Sequence, residues 1–235
     1  MSEILKINNL WGGYQEGVDI LRGISMEVQQ GEAVGIIGLN GSGKSTFGKA
    51  IMNMIPIRRG QIIFEGDDIT ALSTSELSHR GISIMQQGGK VFRNLSVWDN
   101  LQLASQTKNR QLSTVNCQLA EIIPLLQRPK KELQNLMADK LSGGQKHQLS
   151  LVMTLAINPR LVILDEPSAG LSPKAVEDMY EMLLAVRDKL GVTIILIEQN
   201  IAKAVEFSNI EYLLRQGIFS RSFDNIDSIN IELFK

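Results

Sequence analysis

Ala33-Val34-Gly35-Ile36-Ile37-Gly38-Leu39-Asn40-Gly41-Ser42-Gly43-Lys44-Ser45-Thr46 is the stretch from which the rest of the chain is read. Its first five residues form a short apolar run, the pattern of a buried parallel strand. The run meets Gly38-x-x-x-x-Gly43-Lys44-Ser45, a full match to the phosphate-binding loop. Behind it Phe47, Ala50, Ile51 and Met54 recur at i, i+3, i+4 and i+7, which predicts a helix. Gly38, Gly41 and Gly43 permit backbone angles closed to other residues, so successive N–H groups can turn inward toward an anion. The loop ends at a helix N-terminus, where unpaired donors and the dipole favour negative charge. Lys44 adds a point charge for the β- and γ-phosphates of a nucleoside triphosphate, and the Ser45 hydroxyl can ligate Mg²⁺. A Gly-rich turn with a surface lysine is the plain alternative, and the flanking strand and helix count against it.

The 235 residues suffice for one or two domains with a sizeable core. Lys+Arg number 24 against 25 Asp+Glu, so net charge makes no electrostatic case for nucleic acid as the main ligand. Cys117 is the single cysteine, which leaves no disulfide framework and points to a reducing compartment. The N-terminus, MSEILKINNL, lacks the apolar core of a signal peptide, and no apolar run approaches the ~18 residues of a transmembrane helix. Work at a membrane therefore calls for an anchoring partner.

Outward from the loop, strands and helices alternate. Residues 3–8 and 20–29 read as strands, with a turn at Gly12-Gly13 between them. Pro56 and Gly60 stop the first helix; residues 61–64 form a short strand, followed by a turn over 65–68. Ser73-x-x-Glu76 is a capping box, and residues 82–85 are again strand-like. From 97 to 149 apolar residues fall at helical spacing (Leu101, Ala104, Leu119, Ile122, Ile123, Leu126), which predicts a helical insertion. Strand 161–164, a helical stripe (Val176, Met179, Leu183, Val186, Leu190), strand 192–197 and a late turn at Gly217 follow. This order predicts an α/β fold with a mostly parallel sheet and helices packed on it.

Two further constellations carry chemistry. Leu161-Val162-Ile163-Leu164-Asp165-Glu166 places two acids at the carboxyl end of a buried strand, where open α/β sheets bind ligands. Asp165 can hold Mg²⁺, directly or through water, and Glu166 can polarise an attacking water. Solvated acids capping a strand are the bland alternative. The other is Leu141-Ser142-Gly143-Gly144-Gln145, in which Ser142-x-x-Gln145 is also a capping box. A cap alone leaves unexplained two glycines in a first helical turn, each costing up to ~1 kcal/mol relative to alanine. A phosphate approaching the backbone closely explains them.

This pentapeptide, between a glycine loop and an Asp-Glu strand, resembles the signature of ATP-binding-cassette (ABC) ATPases, and the resemblance covers nearly the whole chain. It implies one cassette over 1–235. The fold would be a RecA-like P-loop core with an N-terminal antiparallel β subdomain (about 1–90 and 156–235) and an inserted α-helical subdomain (about 91–155). It implies ATP and Mg²⁺ as cofactors, with Asn40, Ser42 and Thr46 completing the nucleotide loop. Tyr14 sits where the family stacks an aromatic on adenine; a packed core tyrosine is the alternative. Gln87 matches the glutamine that reaches metal and attacking water; Phe92, Leu95, Val97 and Asp99-Asn100-Leu101 set the register on it rather than on Gln86. Residues 168–173, SAGLSP, match the D-loop segment, with Ser172 where an acid is usual.

Gln199, in Ile197-Glu198-Gln199-Asn200, occupies the switch position where most members carry histidine; the only histidines are His79 and His147. With Gln87-Gly88 upstream, this looks like an ATPase of branched-chain amino acid uptake, or of an amide or urea relative. A glutamine amide donates a hydrogen bond but cannot exchange a proton near neutral pH, so Gln199 would position while Glu166 does the proton chemistry. Leu39 stands where that branch usually has proline, and Met153 replaces an arginine common after the signature. The resemblance further implies a second cassette, identical or not, facing head to tail, so that Ser142, Gly143, Gly144 and Gln145 of one meet the γ-phosphate held by Lys44 of the other. It implies integral-membrane permease subunits as partners and a place at the cytoplasmic face of the inner or plasma membrane. Soluble cassettes of DNA maintenance carry a long coiled coil between loop and signature, and this interval has no sustained heptads. Translation cassettes come two to a chain. An exporter cassette, such as one moving lipopolysaccharide, is disfavoured by Gln199.

Overall fold

The computed structural model describes residues 2–106 and 118–222. The chain divides into two compact units, residues 1–77 with 193–235, and residues 78–192.

The first unit opens with β1 (Glu3–Gly12) and β2 (Leu21–Gln29), which pair antiparallel. Leu5 and Ile7 are buried in β1 while Lys6 and Asn8 turn outward, as the alternation requires. β1 is longer than the alternating segment because Asn9, at φ 47°, makes a bulge beyond which pairing resumes at Leu10 and continues to Gly12. β3 (Ala33–Ile37) is buried over its whole length and leads through the glycine loop into α1 (Lys44–Ile51). β4 (Ile57–Phe64) and β5 (Asp67–Asp68) complete the first sheet, ordered β2-β1-β4-β5.

β4 starts four residues before the expected strand. Its first half, Ile57-Arg58-Arg59-Gly60, has no apolar alternation, yet it pairs with the far end of β1, and the Arg59 guanidinium lies 5.0 Å from the centroid of the Trp11 ring. The expected turn over 65–68 narrows to Glu65-Gly66, both at positive φ, since Asp67 and Asp68 already pair with β4. The Ser73 capping box opens α2 (Thr74–His79), with the Ser73 N–H on Glu76 Oε2 and the Glu76 N–H on Ser73 Oγ.

After the second unit the chain returns as β8 (Thr193–Glu198), α8 (Ile201–Phe207), β9 (Ile210–Arg215) and β10 (Ile218–Ser222). β3 lies between β8 and β9, parallel to both, and β10 turns back on β9. Both faces of β3 are buried along its whole length, which is why its sequence runs without alternation. Phe47 of α1 stacks edge-on against Phe219 of β10, their centroids 5.1 Å apart.

In the second unit β6 (Ile82–Met85) and β7 (Leu161–Asp165) pair in parallel. Between them lie α3 (Val97–Gln106), α4 (residues 118–122), α5 (Lys130–Asn135) and α6 (Gly143–Leu155), and after β7 comes α7 (Pro173–Leu190). α3 packs on α5 and α6, and α6 also reaches β6 and α7. Leu101, Leu119, Ile122 and Ile123 are buried as the spacing requires; Pro124 ends the α-geometry and starts a 3₁₀ turn over Pro124–Gln127. Cys117 lies outside the described residues.

One side chain ties the loop after β6 to α3. Asn100 is 0% exposed; its Oδ1 accepts from the Phe92 N–H at 2.8 Å, while its amide donates to the Phe92 and Ser96 carbonyls at 3.0 and 2.8 Å. Asn100→Asp keeps the shape but removes both donors, leaving two carbonyls facing a buried carboxylate. Urea denaturation should show a loss of about 2–4 kcal/mol in unfolding free energy.

Candidate functional site

Residues of the glycine loop are held by their own backbone. A Cβ on Gly38 would lie 2.4 Å from the Leu214 carbonyl oxygen, so the loop root admits only glycine. At the other end Gly43, φ 108°, is the N-cap of α1, and no side chain caps the helix. Ser42, Lys44 and Thr46 are buried. The Lys44 ammonium donates to the carbonyls of Gly38 and Leu39 at 2.9 and 3.2 Å, so the loop wraps its own cation. A glycine loop wrapped around a buried ammonium and leading into a helix N-terminus is an arrangement that suits a polyanion.

Tyr14 follows β1 and is 50% exposed, so it is not a core tyrosine. The Lys49 ammonium donates to its hydroxyl at 3.3 Å and lies 5.6 Å from the ring centroid. Gln199, at the tip of β8, is exposed. The turn that carries it is pinned by buried Glu198, whose Oε2 accepts from the Gln199 and Asn200 N–H groups at 3.1 and 3.4 Å. Asn200 then caps α8 through the Lys203 N–H. Glu198 is a positioning group that sequence reasoning passed over, because an acid at a strand end has no signal separating it from a solvated one.

The second unit holds the acids. β7 delivers Asp165, 2% exposed, and the chain bends at once: Glu166 sits at φ 48°, in the left-handed region disfavoured for any residue with a Cβ. Gln87, two residues past β6, donates from Nε2 to Glu166 Oε2 at 2.6 Å. Residues that lie 79 apart in sequence are thus brought together, and they are the pair assigned above to the attacking water. Gln86 points elsewhere and accepts from Lys90.

The signature opens α6. The Gln145 N–H donates to Ser142 Oγ and the Ser142 N–H to Gln145 Oε1, so both arms of the capping box are made. Gly143 and Gly144 lie within the turn so closed. A Cβ on Gly143 would meet only Leu171 Cδ2 at 4.0 Å, and one on Gly144 only Ala175 Cβ at 3.7 Å. Packing within the chain therefore does not demand glycine at either position. A hollow beside them is lined by Ser142, Gln145, Gln148, Leu171 and Ala175. Sequence reasoning also passed over His147, one turn into α6; its spacing of four from Gly143 was the available signal.

No group of three His, Cys, Asp or Glu side chains able to hold a metal occurs among the described residues.

A family model described as ABC transporter matches residues 21–169. The chain belongs to that family. A probable branched-chain amino acid transport ATP-binding protein LivF of Archaeoglobus fulgidus is 34% identical over 215 residues, covering 91% of this chain and 89% of that protein. The lipopolysaccharide export system ATP-binding protein LptB of Escherichia coli is 31% identical over 217 residues, covering 91% and 87%. Among solved structures, the ADP conformation of an ATP-binding cassette of an ABC transporter superposes with a TM-score of 0.84 at 26% identity, covering all of this chain and 96% of that one. The protein is an ABC ATPase, a nucleotide-binding subunit of a transporter that turns ATP and water into ADP and phosphate. Its α/β fold is that of the cassettes. Among the described residues no helix is long and apolar enough to cross a membrane.

The buried ammonium gives the first functional test. Lys44→Met removes a charge-assisted contact worth about 1.5–3 kcal/mol. ATP binding, followed by titration with a fluorescent ATP analogue, should weaken roughly 10–150-fold, and the melting temperature should fall by a few degrees because the Gly38 and Leu39 carbonyls lose their donor.

Proposed function

We propose that this ABC ATPase energises an importer whose solute is a branched-chain amino acid. The loop amides from Gly38 to Thr46 and Lys44 hold the β- and γ-phosphates, and Tyr14 stacks on the adenine. Ser45, Gln87 and Asp165 hold Mg²⁺, which when bound neutralises phosphate charge. Glu166 takes the proton of the attacking water, Gln87 orients it, and Gln199 donates to the γ-phosphate. The hydrogen bond from Gln87 to Glu166 carries this reading, because it sets the amide and the carboxylate side by side just past the end of β7. Ser142, Gly143, Gly144 and Gln145 serve the nucleotide of a second cassette; the open space above the two glycines supports this. Permease subunits tether the pair to the cytoplasmic face of the membrane.

The solute assignment rests on the LivF relative, on the 31% identical BraG protein of Pseudomonas aeruginosa, named for high-affinity branched-chain amino acid transport, and on Gln199. The LptB relative, at 31% identity, favours lipopolysaccharide export as the second reading. Purification from its own membranes separates them: a permease pair with loss of leucine uptake on deletion supports import, and a lipopolysaccharide-extracting complex overturns it.

For the chemistry, Glu166→Gln should lower steady-state hydrolysis by ~10²–10⁴ while ATP still binds and holds a dimer by light scattering. Gln199→Ala should cost less. Normal turnover in Glu166→Gln would show that the base lies elsewhere.

A further inference from the structure

We propose that His147 is a positioning residue that clasps the loop carrying Gln87 to the first turn of α6. His147 is 5% exposed, and its Nδ1 lies 2.9 Å from the Gly143 carbonyl oxygen. A carbonyl only accepts, so Nδ1 carries a hydrogen toward it. Nε2 is buried with no hydrogen-bond partner. A polar atom left so in the interior calls for an explanation.

The ring's other neighbour shows what holds the imidazole in place. The loop after β6 reads Gln86-Gln87-Gly88-Gly89-Lys90, with Gly88 at φ 85° and Gly89 at φ 56°. Around Gly88 there is open space, so the backbone angle alone accounts for glycine there. Gly89 is different: a Cβ would stand 2.8 Å from His147 Nδ1, 3.0 Å from Cγ and 3.1 Å from Cε1. The backbone of Gly89 is seated directly on the imidazole, and no larger residue fits while the ring stays. Two residues upstream is Gln87, bonded to Glu166.

The contacts form a line: Gly143 carbonyl, His147 ring, Gly89 backbone, Gln87 amide, Glu166 carboxylate. One end is the turn that carries Gly143 and Gly144; the other is the proposed base. His147 is buried and acts through the loop it packs against. It fixes where the loop can put Gln87, so a shift of the first turn of α6 moves the ring and with it the loop. This deepens the reading of Gln87 given above and rests on it.

Hydrogen exchange of the purified chain tests the clasp without reference to turnover. In His147→Ala the amides of 86–90 should exchange faster by on the order of tenfold, and those of 38–46 should not change. Unchanged exchange at 86–90, or a uniform rise throughout, overturns the proposal. Gly89→Ala approaches the same contact from the loop with His147 intact, and should also speed exchange there. In ATPase assays each variant should lose kcat roughly tenfold with ATP affinity within about twofold, since the loop amides and Lys44 are untouched. The double variant should lose less than the product of the two, because removing the ring makes room for the new methyl. Independent, multiplying losses overturn the clasp. A loosened loop with kcat unaltered upholds the clasp and refutes the assignment of Gln87 instead.

Discussion

Helix α1 opens on a glycine rather than on a capping side chain. Gly43 holds the N-cap in the left-handed region and offers no side-chain acceptor to the first turn. The positive end of the helix dipole lies beside the buried Lys44 ammonium, and together they draw an anion. The surrounding fold serves that end. β3 is flanked by β8 and β9, which fixes the root of the loop, and Leu214 of β9 approaches Gly38 so closely that no side chain could intervene. Phe47, one turn into α1, packs edge-on against Phe219 of β10 and seats the helix on the sheet.

The second unit solves the opposite electrostatic problem, that of presenting carboxylates. β7 spends its first four residues on burial and its last on Asp165. Glu166 then adopts an unfavourable backbone angle, of the kind that persists only where neighbours impose it. One such neighbour is Gln87, in a loop whose far end is knotted by Asn100. The same region of chain thus carries both structural and chemical duty, and a lesion in the knot would be felt at the acid.

Much of this was legible in the sequence because local chemistry and tertiary context agree. Ala33–Ile37 has no alternation and is buried throughout; Ser73/Glu76 and Ser142/Gln145 were read as capping boxes, and both arms of each are present. What escaped notice depends on partners distant in sequence. Ile57 to Gly60 has no strand pattern of its own and is extended only because β1 continues past its bulge to meet it. β9 passed unread, since Ile-Glu-Tyr-Leu-Leu-Arg mixes a buried acid into an apolar run; Glu211 is buried there, and burial raises its carboxyl above the ordinary value. His147 was noticed only for not being in the switch position. Its significance lies in Gly89, which no spacing rule connects to it.

The space above Gly143 and Gly144 has an evolutionary corollary. Since a methyl group fits at both positions, replacing either glycine by alanine would strengthen α6 in isolation by up to ~1 kcal/mol. Under the proposed head-to-tail pairing, folding and assembly pull in opposite directions at these two residues. A screen that rewarded only thermostability would erase the signature while appearing to improve the protein.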